Sequence, residues 1–190
     1  MWHPHIYRTQ VTSSANTFPV YSAVEYSSVA ARVLLSSKES GLSDADQLIV
    51  QALTHSLSYL NGEIGIADLV PVPSRKMATR KRGRDFISAQ TTEIATSHFA
   101  SSIAIRPLLR HIRSVKDQSS LNATERQRNL DGSLECMKKA ERAGIPVIIV
   151  DDVITTGATL REAGRALHAA GFSVIGGVTA CVAKPLRYTQ

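Results

Sequence analysis

The sequence predicts an α/β fold built on a mainly parallel, doubly wound sheet flanked by helices. Val147, Ile148, Ile149 and Val150 form a β-branched apolar run of the kind that fills a parallel strand buried on both faces. After that run, strand and helix patterns alternate to the end of the chain, which is the signature of βαβ units. A second short apolar run, Leu69 to Val72, ends in prolines that cannot donate to a ladder, so Pro71 and Pro73 mark a strand's exit.

The elements are read in order. Residues 1–20 are polar and read as an N-terminal arm. Tyr21 to Lys38 reads as a helix with Val24, Ser28, Ala31 and Leu35 on one face. Ser43 and Asp46 begin a second helix, with Ile49, Ala52, Leu53, Leu57 and Leu60 as its stripe and Asn61-Gly62 as its stop. Phe86 to Phe99 is a third helix, and Ile103 to Ile105 a short strand. Arg110 to Gln118 has no apolar period and reads as a loop, and Asn122 and Glu125 mark the start of a short polar helix. Beyond the central strand, Leu160, Ala163, Leu167 and Ala170 sit at helical spacing, and Gly171 closes that helix. Val174 to Val182 is the last strand, with Gly176 and Gly177 permitting a bend or close packing.

Composition narrows the class. With 43% hydrophobic and 20% charged residues, 190 residues suffice for one globular core. No run approaches the roughly 20 apolar residues that span a bilayer, and the first residues lack a signal-peptide layout. Cys136 and Cys181 give neither a disulfide framework nor a C-x-x-C pair, which fits a reducing cytoplasm and excludes a zinc ribbon. The six histidines show no metal-ligand spacing, so no protein-built metal site is expected. Cys181 falls in a buried strand and reads as an inert core thiol.

The chemistry is concentrated between Val147 and Thr159. Asp151 and Asp152 stand at the carboxyl end of the strand, where open α/β sheets bind ligands. Thr155, Thr156, Gly157, Ala158 and Thr159 form a small-residue loop that opens a helix, whose N-terminus attracts anions. Two carboxylates accept hydrogen bonds from a vicinal diol and the loop holds a phosphate. Together they describe a ribose 5-phosphate site. A second feature is basic: six of the ten residues from Arg75 to Arg84 are Lys or Arg, and the chain carries a formal charge of +6. Such a balance favours polyanions, whether a phosphate-rich small molecule or nucleic acid. The cluster contains no aromatic residue, so a base-stacking platform is not supported.

The stretch from Val147 to Thr159 resembles the signature of type I phosphoribosyltransferases, in which a strand, two acids and a T-T-G-x-T loop bind phosphoribosyl pyrophosphate (PRPP). Asp68 to Pro73, the following basic segment, and the series Lys116, Asp117, Gln118, Leu121, Glu125, Arg126, Arg128, Asn129, Leu130 and Gly132 resemble the ComF branch of these proteins, associated with bacterial competence. The resemblance runs from about Tyr21 to Ala183. It departs where the branch has R-G-F-N-Q and this chain has Arg82-Gly83-Arg84-Asp85-Phe86, and it lacks the four-cysteine zinc module of many members.

The resemblance implies a phosphoribosyltransferase-like domain over 21–190, with a small helical hood over about 21–67 and a core over about 68–190. It implies Mg²⁺ carried mainly by PRPP, and a reaction in which a nitrogen acceptor displaces pyrophosphate. Asp151 and Asp152 would hold the ribose hydroxyls and Thr155 to Thr159 the 5-phosphate. Ser74, Arg75 and Lys76 would form the pyrophosphate loop, and Lys116 would reach the leaving group from a segment, Arg113 to Arg128, that closes over the ligand. The alternative it implies is a non-catalytic accessory protein for DNA uptake. In that reading Arg80, Lys81, Arg82 and Arg84 would meet single- or double-stranded DNA through its phosphates. The acceptor and the oligomeric state are left open by both.

Overall fold

A computed structural model describes residues 5–40, 42–64, 67–74, 83, 85–97, 103–113, 130–141 and 144–183. Five strands form the main sheet: β1 (Tyr7–Thr12), β2 (Thr17–Glu25), β3 (Asp68–Pro71), β6 (Ile145–Ile154) and β7 (Phe172–Val182), in the order β1-β2-β7-β6-β3. β2, β7, β6 and β3 run parallel, and β1 pairs antiparallel with β2 at one edge. β4 (Leu109–His111) and β5 (Leu134–Cys136) make a separate antiparallel ribbon. The helices are α1 (Ser28–Leu35), α2 (Ser43–Ile64), α3 (Phe86–Ser97) and α4 (Ala158–Ala169), and a π-helical turn, Ser36–Ser40, follows α1. The expected fold class is therefore observed.

Residues 7–25 correct the sequence reading. Residues 7–12 and 17–20, expected in a polar arm, and Tyr21 to Glu25, expected in a helix, form the β1–β2 hairpin. The reason is a period-two pattern hidden by polar composition: Thr9 and Val11 are buried while Gln10 and Thr12 are exposed. Its turn is a hydrogen-bonded unit. The Ser13 hydroxyl donates to the Asn16 carbonyl at 3.0 Å and accepts from the Asn16 N–H at 3.2 Å. The Asn16 amide then donates to the Val174 carbonyl at 2.7 Å, which ties the hairpin to the start of β7.

The helix that follows is shorter and turned relative to expectation. Ser27 caps α1 by accepting from the Ala30 N–H, and the helix buries Ala30 and Leu34, whereas Leu35 is 60% exposed. α2 buries Ile49, Leu53, Leu57 and Leu60 as expected, but it runs through Asn61-Gly62 to Ile64. Leu53, Leu57 and Leu60 are fully buried, and each contributes about 1.5–3 kcal/mol, which outweighs the roughly 1 kcal/mol cost of a helical glycine. Ile103 to Ile105 shrinks to a single parallel bridge from Ile105 to Leu69. Arg110 and His111, read as loop, belong to β4.

Two apolar layers sandwich the sheet. α1, α2 and α3 cover one face through Leu34, Leu53, Leu57, Phe86 and Ile94, packed on Ile148, Val150 and Val178. α4 and the β4–β5 ribbon cover the other through Leu160, Ala163, Leu167, Leu109 and Leu134, packed on Val147, Ile149 and Val20. β7 slips register against β6 between Val147 and Ile148, opposite Ile175, as the Gly176-Gly177 pair allows. A Cβ on Gly177 would lie 3.2 Å from Val20 Cγ2, so the absent side chain lets β2 close on β7.

Candidate functional site

The site grows from the central strand. β6 lies between β7 and β3, and Val147 to Val150 are wholly buried, which fixes the backbone on which Asp151 and Asp152 stand. Both carboxylates are buried, at 7% and 8% exposure. Asp151 Oδ1 accepts from the Asp152 N–H at 2.9 Å. Burial, and then the neighbouring Asp152 carboxylate, push the Asp151 carboxyl well above its ordinary range. Asp152 receives an ion pair from Lys38 of the π-helical turn. Lys38 was not singled out in the sequence, and no local pattern marks it, because its partner is 114 residues away.

After β6, the chain turns at Thr155 and Thr156 into α4. Gly157 is the N-cap residue of α4, with φ 73° and no side-chain cap bond, and the Ala158 N–H meets only a long 3.4 Å contact from Thr156 Oγ1. The first-turn N–H groups and the positive end of the helix dipole therefore face the end of β6, with Thr155, Thr156 and Thr159 partly exposed beside them. A Cβ on Gly157 would stand 3.2 Å from Val11 Cγ2, so β1 backs this turn. Residues Asp151 to Thr159 come together here as the sequence suggested.

β3 delivers the next piece. The Val72 N–H donates to the Val150 carbonyl at 2.9 Å, so the chain leaves β3 beside the acid pair. There the Ser74 N–H donates to Asp85 Oδ2 at 2.9 Å and its hydroxyl to Oδ1 at 3.3 Å. Asp85 also caps α3 by accepting from the Ser88 N–H at 3.2 Å. Ser74 and Asp85, which flank the basic segment in sequence, are thus bonded to each other. Asp85 is where the chain departs from the expected motif; an Asp just before the apolar start of α3 is the signal that locates such a cap. His111 brings its ring Nε2 to 3.1 Å from the Pro73 carbonyl. Arg75, Lys76, Arg80, Lys81, Arg82, Arg84 and Lys116 lie outside the described residues, as do Gln118, Asn122, Glu125, Arg126, Arg128 and Asn129.

On the helical side, an apolar cavity of about 430 Å³ lies between α1, α2 and the ends of β2 and β7, lined by Ala23, Val33, Ile49, Ala52, His55 and Cys181 among others. Cys181 is buried, and desolvation followed by the nearby Asp152 charge pushes its thiol up to about 11, which suits the inert core role expected of it. Across the sheet, Glu162 of α4 is 2% exposed and grips β5: its Oε1 accepts from the Leu134 N–H at 2.9 Å and from Arg165 at 2.8 Å. Arg165 also donates to the Leu134 carbonyl at 2.8 Å. This pair fixes the helix that carries the loop. Among the described residues no group of three or more His, Cys, Asp or Glu gathers as a metal cage, and no helix is long and apolar enough to cross a membrane.

No curated protein matches the chain. Residues 93–189, just over half the chain, match the family model for the phosphoribosyl transferase domain, and the match contains the acid pair, the Thr/Gly loop and α4. With the mostly parallel five-stranded sheet flanked by helices, this match shows that the chain belongs to the phosphoribosyl transferase domain family, within the type I superfamily.

Proposed function

We propose that this protein binds PRPP with Mg²⁺ and transfers its phosphoribosyl group to a nitrogen acceptor, as a ComF-type member of the family. One observation carries the reading: two buried carboxylates at the end of the central strand lead directly into a helix N-terminus without a side-chain cap. The pair accepts hydrogen bonds from a ribose diol while the loop's N–H groups and threonine hydroxyls receive the 5-phosphate. Asp151 and Asp152 suit a metal ion that arrives with its own ligands. Mg²⁺ keeps several waters and binds chiefly through phosphate oxygens, so two carboxylates suffice, and among the described residues no cluster of three metal-ligating side chains is found. When bound it would supply charge neutralisation at the departing pyrophosphate.

The chain's own residues fix the sugar. The diol is held by Asp151 and Asp152, the 5-phosphate by Thr155 to Thr159, and the pyrophosphate by the turn that starts at Ser74, with Arg75 and Lys76. The C1–oxygen bond to pyrophosphate breaks as the C1–nitrogen bond forms. Positioning and electrostatics supply the acceleration, with Lys116 the cation assigned to the leaving group. The helical segment before β3 serves as the hood that selects the acceptor. At a hundredfold excess over its dissociation constant, PRPP with Mg²⁺ should stabilise the protein by roughly 2.7 kcal/mol. The double variant Asp151→Asn, Asp152→Asn should fold and lose that shift, and pyrophosphate release with a panel of bases and amines identifies the acceptor. A wild-type protein that shows no shift with PRPP or ribose 5-phosphate at millimolar levels refutes the proposal.

The density of charge from Arg75 to Arg84 supports a second reading, in which the same fold serves DNA uptake without catalysis. The two readings share the PRPP site and differ in whether pyrophosphate is released.

A further inference from the structure

We infer that Lys38 is a positioning residue that holds the Asp152 carboxylate in the orientation a sugar diol needs. The inference rests on the ribose 5-phosphate reading of the acid pair. Successive residues of a strand point to opposite faces, so two adjacent carboxylates need separate partners if they are to serve one ligand. Asp151 has the Asp152 N–H. Asp152 has Lys38, whose ammonium donates to Oδ2. That ammonium is held from behind as well: it lies 5.5 Å from the centre of the Phe86 ring, a cation–π contact with the first residue of α3. Phe86 is 1% exposed and is locked in the core, so the cation sits between a fixed aromatic face and a buried acid.

Buried carboxylates side by side repel each other, and a buried ion pair that loses one partner leaves an uncompensated charge. Without Lys38, the Asp152 carboxylate would lose its fixed partner and turn away from its neighbour. That change removes an acceptor from the diol and leaves the phosphate loop untouched. The effect of Lys38 is therefore specific to the hydroxyl end of the ligand.

Two probes separate those ends. Ribose 5-phosphate and 2-deoxyribose 5-phosphate share the phosphate and differ by one hydroxyl of the diol. Isothermal titration of the full chain should show wild type preferring the ribose form by about tenfold or more, the value of a hydrogen bond to a charged group. In Lys38→Met the preference should fall to within about threefold, through loss of affinity for the ribose form alone, and Lys38→Arg should restore most of it. Lys38→Gln carries the same test should Lys38→Met unfold, with folding checked by circular dichroism. A Lys38→Met protein with wild-type affinity and preference overturns the inference. So does tighter binding of either sugar phosphate, which would make Lys38 a competitor for Asp152. Failure of wild type to bind either probe overturns the ribose 5-phosphate reading itself, and is seen before any variant is made.

Discussion

Replacing Glu162 tests how α4, and with it the phosphate loop, is held in place. Glu162→Ala strands the Leu134 N–H, now 2.9 Å from Oε1, in a buried position, which costs about 1–3 kcal/mol. It also removes Arg165's carboxylate partner, bonded at 2.7 and 2.8 Å. The Arg165 side chain is 38% exposed, so water compensates and that loss is discounted to about 1 kcal/mol. The sum is about 2–4 kcal/mol, or roughly 5–15 °C in midpoint for a chain of this size, read by thermal and urea unfolding. The pH dependence follows from the direction of the shift. Burial raises the Glu162 carboxyl, but the Arg165 hydrogen bond and the Leu134 and Gly132 backbone donors outweigh it and hold it below the ordinary 4.5. A group lowered on folding contributes stability that is present above its unfolded value and is lost as pH falls through the folded one. The gap between wild type and Glu162→Gln should stay level from pH 8 to 6 and narrow below about pH 4.5. A loss under about 1 kcal/mol for Glu162→Ala would refute the claim that this carboxylate anchors the helix.

Gly157→Val should abolish ribose 5-phosphate binding and lower the midpoint, because a β-branched residue at φ 73° costs about 1–2 kcal/mol and drives into Val11; Thr155→Ala should bind within about threefold of wild type, the scale of one neutral hydrogen bond. Equal, near-wild-type binding by the two variants would remove this turn from the phosphate site. If the basic cluster meets DNA, replacing Arg80, Lys81 and Arg84 with Gln should flatten the salt dependence of affinity by up to about 0.9 units per lost phosphate contact while leaving the PRPP shift in place. An unchanged slope assigns the cluster to a solvated surface, and loss of the PRPP shift alone assigns it to the active site.

What the sequence revealed and what it concealed divide along the range of the interactions. β6, α4 and β7 are legible because their signals are local: a β-branched run, an apolar stripe at Leu160, Ala163 and Leu167, and a glycine-bearing turn. β1 and β2 are not, because Arg8, Thr9, Gln10 and Thr12 give β1 a polar composition, β2 is buried through Val20 to Ala23 without a simple alternation, and Val24 and Leu35 then suggest a helical face that does not exist. The acid pair and loop were legible as contiguous residues. Lys38 and Glu162 were not, since each acquires its meaning from a partner brought in by the fold: Asp152 in one case, the Leu134 backbone in the other.

Two buried carboxylates, one at the end of β6 and one on α4, stand in opposite balance. Glu162 receives enough donors to be more acidic than in water, so its charge stabilises the fold near neutral pH. Asp151 receives one backbone donor and a like-charged neighbour, and its carboxyl is driven upward, first by burial and then by that neighbour. By the same linkage, a group raised on folding contributes stability that is present below its unfolded value and is lost as pH rises through the folded one. The stability that Asp151 contributes therefore falls as pH rises, where a neutral amide of the same shape would show no such dependence. Such a group persists in a core when something outside the chain completes it. On the proposed reading, a sugar diol would do so by donating hydrogen bonds to the carboxylate form, and its binding would be strengthened by the relief of the repulsion between the two acids.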